Sequence, residues 1–481
     1  MQRREFLLTA GLAAAWRPSE QTPAARAQAP QMSDGQLVEI GALIQAKMAE
    51  YHIPGVGIGI VVGDTISVRG FGVTNVDDPQ PITPDTIFTI ASISKTVTAT
   101  AIMRLVEQGK ADLEAPVQKY LPDFRVQDDA VSRDVRLWHL LTHTPGWEGQ
   151  LSGDDRGVDS LAHFVANVMR DLPQIAAPGS VWSYNNAGFT LAGRVIEVIT
   201  GRPIHDALRE LVFTPLGLPR TFTRLSDAAA YRMSLGHRQQ GDTTFVIRPI
   251  QTSSGTTAGG VMTSVNDLLH YARFHLGNGT TSEREAYVSR ARLTEMQSPR
   301  LRKNSTDDEM GIGWHLRKLN GVQTCAHGGT LNGHCLLIEL VPERSLGFVI
   351  LTNHTDGWRL IQDVEQAILK KLAGIALAPN QRIGHRGVNE AMSFHSQPLV
   401  TQPPLDEYVG RYIHPPLNPV QVRLDAGALV VGTGTRLTFY GKDVAYATAG
   451  GYVGTPYEFV RTPEGRVGWI RSNGRIARKE G

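Results

Sequence analysis

The stretch Ala91-Ser92-Ile93-Ser94-Lys95-Thr96 follows an extended pattern at residues 86–90 and opens a helical pattern over residues 97–108. Lys95 follows Ser92 by three positions, so a helix would place both side chains on one face. A serine hydroxyl needs a neighbouring base to become a nucleophile, and a desolvated lysine near a helix N-terminus can have a pKa low enough to serve. The unpaired N–H groups of the first turn could bind an oxyanion. The stretch therefore indicates a nucleophilic serine at the start of a helix.

The chain has 481 residues, which is too long for one ordinary domain and predicts two. Its content of 41% hydrophobic and 20% charged residues is typical of a globular protein. The formal net charge is +2 and the sequence contains no dense Lys/Arg tract, which argues against a nucleic-acid partner. We expect a small-molecule or peptide substrate, and the sequence leaves oligomerisation open.

The N-terminus has the pattern of an export signal. The paired arginines Arg3 and Arg4 precede a short apolar run at residues 7–16, and Ala25-Arg26-Ala27 resembles a signal-cleavage site. The apolar run is too short to span a bilayer. We predict that residues 1–27 are a twin-arginine-like signal, and that the mature protein is periplasmic or secreted without an integral membrane segment.

Strand patterns at both ends of the first domain enclose a mostly helical middle. This arrangement predicts an α+β fold in which one antiparallel sheet is built from both ends of the domain, with flanking helices and a helical subdomain. Helices are predicted over residues 36–52, 97–108, 187–200, 264–276 and 357–372, and strands over residues 56–62, 66–71, 322–326, 334–340 and 346–352.

The pattern changes after the last of these helices. Residues 375–404 contain polar stretches and prolines, as a linker does, whereas residues 405–481 contain short strand patterns separated by turn residues. We therefore predict a first domain at residues 33–374, a linker at residues 375–404, and a small all-β barrel at residues 405–481.

Two further elements carry side chains suited to catalysis. Tyr184-x-Asn186 precedes a predicted helix, and His327-Gly328-Gly329 continues a predicted strand. A metal site at His139 and His143 is the less favoured interpretation of that histidine pair, because no glutamate completes an HExxH motif and Pro145-Gly146 ends the turn. We expect both histidines to be structural, and no metal or other cofactor is expected.

Together, Ser92-x-x-Lys95, Tyr184-x-Asn186 and His327-Gly328-Gly329 resemble the three signatures of the serine β-lactamase and penicillin-binding-protein superfamily. Tyrosine in the second signature and histidine in the third are similar to its class C-like branch of esterases, D-aminopeptidases and D,D-peptidases. Residues 405–412 resemble the start of the lipocalin-like barrel appended to some of these hydrolases.

The resemblance implies a role for each motif residue. Ser92 would attack an acyl carbonyl, Lys95 would assist its deprotonation, and Tyr184 would relay a proton and later activate water. Asn186 would hydrogen-bond Lys95 or the substrate amide. The backbone N–H groups of Ser92 and Thr330 would form the oxyanion hole.

The third signature departs from the β-lactamase pattern. His327 stands where those enzymes carry lysine, and a neutral histidine offers no permanent charge to a substrate carboxylate. This difference favours esters or peptide-like amides over β-lactams. The small residues Gly328 and Gly329 would let a substrate lie along the strand edge.

Two other functions remain as alternatives. The chain could be a non-catalytic binding or sensor protein of penicillin-binding type, although the intact Ser92, Lys95, Tyr184 and Asn186 favour catalysis. The other alternative is a metallo-hydrolase that uses His139 and His143. Activity that is retained in the chelator EDTA would exclude it. The two cysteines, Cys325 and Cys335, lie in neighbouring strand patterns, and we favour two reduced thiols over a disulfide.

Overall fold

The computed structural model describes residues 32–149, 157–249, 253–277, 279–281, 287–303, 308–377, 398–414, 419–450 and 453–480. The predicted signal at residues 1–27 and most of the predicted linker lie outside these residues. The helices are α1 Asp34–Glu50, α2 Ser94–Glu107, α3 Asp129–Asp134, α4 Leu137–Leu141, α5 Ser160–His163, α6 Asn186–Thr200, α7 Ile204–Leu208, α8 Leu225–Ala228, α9 Thr256–Gly259, α10 Val265–Leu276, α11 Arg290–Met296 and α12 Gly357–Ala373.

The strands fall into a first set in the N-terminal domain and a second set after it. The first set is β1 Gly55–Val62, β2 Thr65–Gly72, β3 Ile87–Thr89, β4 Thr221–Phe222, β5 Gly236–Gln240, β6 Thr243–Ile247, β7 Met262–Ser264, β8 Leu301–Arg302, β9 Glu309–Met310, β10 His315–Leu319, β11 Val322–Leu331, β12 His334–Val341 and β13 Leu346–Thr352. The second set is β14 Gly410–Ile413, β15 Val420–Asp425, β16 Ala428–Val431, β17 Thr435–Gly441, β18 Val444–Ala449, β19 Pro456–Arg461, β20 Val467–Ser472 and β21 Arg475–Lys479.

The main sheet joins the two ends of the first domain, as the sequence predicts. Its eight strands are antiparallel and lie in the order β2-β1-β13-β12-β11-β10-β9-β8. Every residue of β1, β12 and β13 is buried, because both faces of these strands are covered. Helices α1 and α12 cover one face with the apolar cluster that includes Ile44 and Ile361. The predicted α+β class is confirmed.

The helical middle of the chain packs on the other face of the sheet. Helix α2 is buried on nearly all sides and contacts α6 and α9, so it is the central helix of this layer. A second, three-stranded sheet in the order β3-β7-β4 leads into the turn that precedes α2. Among the described residues, none of the helices combines the length and the apolar composition needed to cross a bilayer.

The second set of strands forms a closed barrel, because β14 pairs with both β15 and β21. Its interior is filled by a cluster that includes the rings of Tyr408, Tyr412, Phe439 and Phe459. Closure leaves the barrel without a free strand edge, which removes a common route to aggregation. The predicted barrel is confirmed.

The two cysteines are free and buried. Cys335 on β12 lies opposite Thr330 on β11, whereas Cys325 lies five residues earlier on that strand. Five strand residues span about 17 Å, and disulfide-bonded Cα atoms are separated by less than about 7 Å. The fold therefore keeps the two thiols apart.

A buried ionic cluster lies between the main sheet and α12. Arg317 Nη2 donates to Glu339 Oε1 at 2.5 Å and to Glu365 Oε1 at 2.6 Å, and all three side chains are almost fully buried. One guanidinium thus faces two carboxylates. Burial, opposed by the charge of Arg317 and reinforced by that of Glu339, raises the pKa of Glu365 to about 8.

This raised pKa predicts a pH-dependent stability. Below pH 4.5 Glu365 is protonated in both states, and as pH rises towards 8 only the unfolded chain releases the proton, so folding stability falls. We expect Glu365→Gln to remove most of this fall, which is on the order of 3 kcal/mol. Denaturant unfolding at pH 5 and pH 8 measures it. The control is Glu343→Gln at an exposed position, and a wild-type slope in Glu365→Gln would contradict the assignment.

Candidate active site

Ser92 lies in a 3-10 turn, Ala91–Ile93, that precedes α2 directly. The α-helix therefore begins at Ser94, earlier than the predicted residues 97–108, and Ser92 stands just before it. Ala91 has a φ of 48°, a left-handed conformation that is costly for a residue with a Cβ atom. Ser94 Oγ donates to Ala91 O at 2.6 Å and accepts from Val261 N at 3.0 Å. These contacts hold the strained turn.

Lys95 lies on the first turn of α2 with its amine buried beneath Ser92. Lys95 Nζ is 3.2 Å from Ser92 Oγ and donates to Ala258 O at 2.5 Å. The amine also lies 4.9 Å from the ring centroid of Tyr184 and 5.6 Å from that of Phe189. Burial, with a smaller effect of Arg475, lowers the pKa of Lys95 well below its usual value. A neutral fraction of Lys95 can accept a proton from Ser92.

The Tyr184–Asn186 segment approaches the same place from the N-terminus of α6. Tyr184 is buried, and its ring stacks on the imidazole of His143 with a centroid distance of 4.5 Å. Asn186 is the first residue of α6 and lines the cavity beside Ser92. The structure thus brings Ser92, Lys95, Tyr184 and Asn186 together.

Asn185 has a structural position that differs from that of Asn186. Its side-chain oxygen accepts from Gly188 N at 2.8 Å as the N-cap of α6, and its Nδ2 donates to Trp147 O at 2.8 Å. Its backbone N–H donates to His143 Nδ1 at 2.9 Å. Of two adjacent asparagines, one therefore fixes the loop and the other faces the cavity.

Strand β11 carries His327, Gly328, Gly329 and Thr330 past the Ser92 turn. Thr330 lines the cavity, whereas the His327 side chain is completely buried behind it. A Cβ atom on Gly329 would lie 2.5 Å from Ile90 O and 3.1 Å from Ala91 Cβ. Glycine at this position therefore lets the strand pass directly against the backbone that carries Ser92.

His327 belongs to a buried histidine cluster that sequence analysis did not predict. Ring nitrogens of His143, His315 and His327 lie within 4.8 Å of one another. Because His327 Nδ1 donates to Gly328 O at 2.8 Å, its Nε2 presents a lone pair towards the cluster. The less favoured metal pairing of His139 with His143 does not form, because His139 Nδ1 accepts from Arg136 N at 2.9 Å, a structural contact of the kind expected. The three histidines come from segments that are far apart in the sequence, so no local spacing of residues predicts the cluster.

Such a cluster has the donor set for a metal ion or a shared water. Its surroundings do not suit a cation, since the neighbouring charged groups that act on the imidazoles are the cations Lys303 and Arg475, joined by Lys95 whenever that amine is protonated. Burial lowers the pKa of His327 to about 3, and the charge of Lys95 adds to that effect. Burial likewise lowers the pKa of Lys303 to about 8. The cluster therefore fits neutral imidazoles better than a cation site.

A cavity of about 320 Å³ opens above Ser92. Polar residues contribute to its wall together with apolar side chains such as Leu225 and Met262, and the polar ones are Thr89, Ser92, Asn186, Thr330 and Asn332. Among the described residues that line it, none has a charged side chain. The cavity therefore suits an uncharged, partly apolar group next to the serine.

Comparison with known sequences gives consistent matches. The family model described as Beta-lactamase matches residues 40–371. Penicillin-binding protein 4 of Amycolatopsis lactamdurans is 31% identical over 340 residues, covering 69% of this chain and 89% of that protein. Unguisins hydrolase ungD' of Aspergillus campestris (strain IBT 28561) is 24% identical over 412 residues, covering 78% of this chain and 76% of that protein.

The fold also has a counterpart among solved structures. A crystal structure of SurE superposes with a TM-score of 0.78 and 25% sequence identity. The superposition covers 93% of this chain and 99% of SurE, so the barrel as well as the first domain falls within it.

The close passage of β11 predicts a specific effect of one methyl group. Gly329→Ala should destabilise the protein by about 1–3 kcal/mol, because the new Cβ would meet the Ile90 carbonyl. Gly259→Ala is the matched control, since a Cβ there lies 3.8 Å from the backbone of Ala91, an ordinary contact. Denaturant unfolding compares the two variants, and equal stabilities would show that the strand can move away from the turn.

Proposed function

The chain belongs to the beta-lactamase family of serine hydrolases, and we propose that it is an exported enzyme that cleaves an ester or amide bond through an acyl-enzyme on Ser92. The observation that carries the proposal is the buried Lys95 amine, 3.2 Å from Ser92 Oγ. An amine in such a place is costly to charge, so it is suited to receive the serine proton. Export rests on the twin-arginine-like pattern in residues 1–27.

In the proposed acylation, Ser92 Oγ attacks the acyl carbonyl while its proton moves to neutral Lys95. The backbone N–H groups of Ser92 and Thr330 would stabilise the oxyanion. Tyr184, whose ring lies 4.9 Å from Lys95 Nζ, would pass a proton to the leaving group as the tetrahedral intermediate collapses. Water activated by the same pair would then cleave the acyl-enzyme, and Asn186 would orient the substrate at the cavity wall.

The cavity supports a substrate class. Its described wall carries no cationic side chain, and His327 is buried and neutral behind it. We therefore propose that the acyl group next to the bond cleaved is uncharged and partly apolar, as in simple esters and peptide-like amides. A β-lactam carboxylate would gain no ion pair from the residues described at this wall.

Acylation can be tested by mass spectrometry of the intact protein. After exposure to a slow acylating probe, an activated ester or a β-lactam, the wild type should gain the mass of the acyl group on Ser92. Ser92→Ala should gain none, and Lys95→Met should acylate at least about 100-fold more slowly because the base is lost. An unmodified wild type that also leaves a generic ester intact would refute the proposal and favour a binding protein.

The adjacent asparagines should separate stability from activity. Asn185→Ala removes an N-cap and a buried hydrogen bond to Trp147 O, so it should lower the free energy of unfolding by about 2 kcal/mol. Asn186→Ala should keep wild-type stability and lower kcat/KM for ester hydrolysis, by about tenfold or more. Denaturant unfolding and steady-state kinetics on both variants measure this. Equal activity losses in two stable proteins would contradict the assignment.

A further inference from the structure

The hairpin formed by β20 and β21 contacts the segment that carries Tyr184. Tyr184 N donates to Gly474 O at 2.8 Å, and Ile476 N donates to Ser183 Oγ at 3.3 Å. Arg471 Nη2 donates to Trp182 O at 2.9 Å. The barrel therefore binds three consecutive residues of the catalytic segment, two of them through their backbone.

Apolar packing supports the same contact. Ile476 joins a buried cluster with Ile175, Ala176 and Val181, and the ring of Trp469 packs against it. Trp469 Nε1 also donates to Ile175 O at 3.1 Å. Because this cluster combines residues of both domains, the hairpin is fixed on the first domain by burial as well as by hydrogen bonds.

The hairpin also brings the charged side chain of Arg475 close to Tyr184. Its guanidinium lies 6.0 Å from the ring centroid of Tyr184. Its Nη1 is 3.4 Å from Oε1 of the buried Glu148, and His414 Nε2 approaches the same oxygen at 3.2 Å. Glu148 lies on the segment whose neighbouring carbonyls, Trp147 O and Gly149 O, accept hydrogen bonds from the two asparagines after Tyr184. The ion pair between Arg475 and Glu148 thus links the barrel to the segment around Glu148, which in turn holds the asparagines that follow Tyr184.

We propose that the barrel completes the catalytic site, with its β20–β21 hairpin fixing the Tyr184 backbone and Arg475, paired with Glu148, acting as a positioning residue for Tyr184 and Lys95. This inference rests on the hydrolase function proposed above. Nothing in the three sequence signatures requires the barrel, because all of them lie in the first domain.

The charge of Arg475 lowers the pKa of Lys95. Its positive charge disfavours protonation of Lys95, and it adds to burial in lowering the pKa of that amine. Burial lowers the pKa of the nearby imidazoles of His143, His315 and His327, which keeps them neutral. Arg475 is therefore the charged side chain whose removal changes the field at the Lys95 amine.

The first test is the pH profile of Ser92 acylation by an activated ester. In Arg475→Gln, Lys95 should bind its proton more tightly, so the acidic limb of the rate profile should move up by about one pH unit. The rate should fall about tenfold on that limb and approach the wild-type rate above it. Arg475→Lys, which keeps a charge, should restore most of the wild-type profile.

The matched control is Arg478→Gln, which removes an exposed arginine from the same strand. It should leave the profile unchanged. A purely structural role for Arg475 would lower the rate equally at every pH in Arg475→Gln, without moving the limb, and that result would overturn the charge effect.

The second test does not depend on activity. Arg475→Glu places a carboxylate against Glu148 and should release the hairpin, so amide hydrogen exchange over residues 182–186 should increase at least tenfold, as measured by mass spectrometry on the full chain. Unchanged exchange in Arg475→Glu, with an unshifted limb in Arg475→Gln, would overturn the inference while the wild type still acylates. A wild type that never acylates would instead overturn the proposed function and this inference with it.

Discussion

The burial of one amine constrains the rest of this structure. Lys95 Nζ is out of contact with bulk water and is held by Ser92 Oγ and Ala258 O. Charging an amine in such a place is costly, and the same cost lowers its pKa. Stability and reactivity therefore have a common physical origin at this position.

The surroundings of Lys95 come from elements far apart in the chain. Ala258 follows it by 163 residues and the rings of Tyr184 and Phe189 cover it from α6 and its preceding loop. Strand β11 passes close enough that only glycine fits at Gly329 against the Ile90 carbonyl. The main sheet and the helical layer thus serve to bring these parts within a few ångströms of one serine.

Periodicity in the sequence predicted the architecture well. The α1, α6, α10 and α12 patterns and the three strands β1, β12 and β13 lie within a few residues of their predicted ranges, because their apolar residues repeat at the spacing that burial requires. The motif residues Ser92, Lys95, Tyr184 and Asn186 also come together, since each occupies the start of an element or the loop before it. Their catalytic roles stay predictions.

The parts that sequence analysis missed depend on contacts between distant segments. His315 belongs to none of the sequence motifs, yet the main sheet places it beside His143 and His327. Nor does spacing distinguish Asn185, which fixes a helix start, from Asn186, which faces the cavity. The helical pattern was predicted to begin at residue 97, three residues after α2 begins, because Ser94, Lys95 and Thr96 lack apolar periodicity. The hydrogen bond from Ser94 Oγ to Ala91 O, which stabilises the turn before α2, leaves no such pattern in the sequence.

The docking of the hairpin on the catalytic loop also bears on how the active protein is made. Arg471 and its acceptor Trp182 are separated by 289 residues. Since synthesis proceeds from the N-terminus, the first domain can collapse on the ribosome long before the hairpin exists. During that interval the loop before α6 lacks the partner for its Tyr184 amide. The segment before α6 therefore acquires these contacts only after the last strands of the chain have been synthesised.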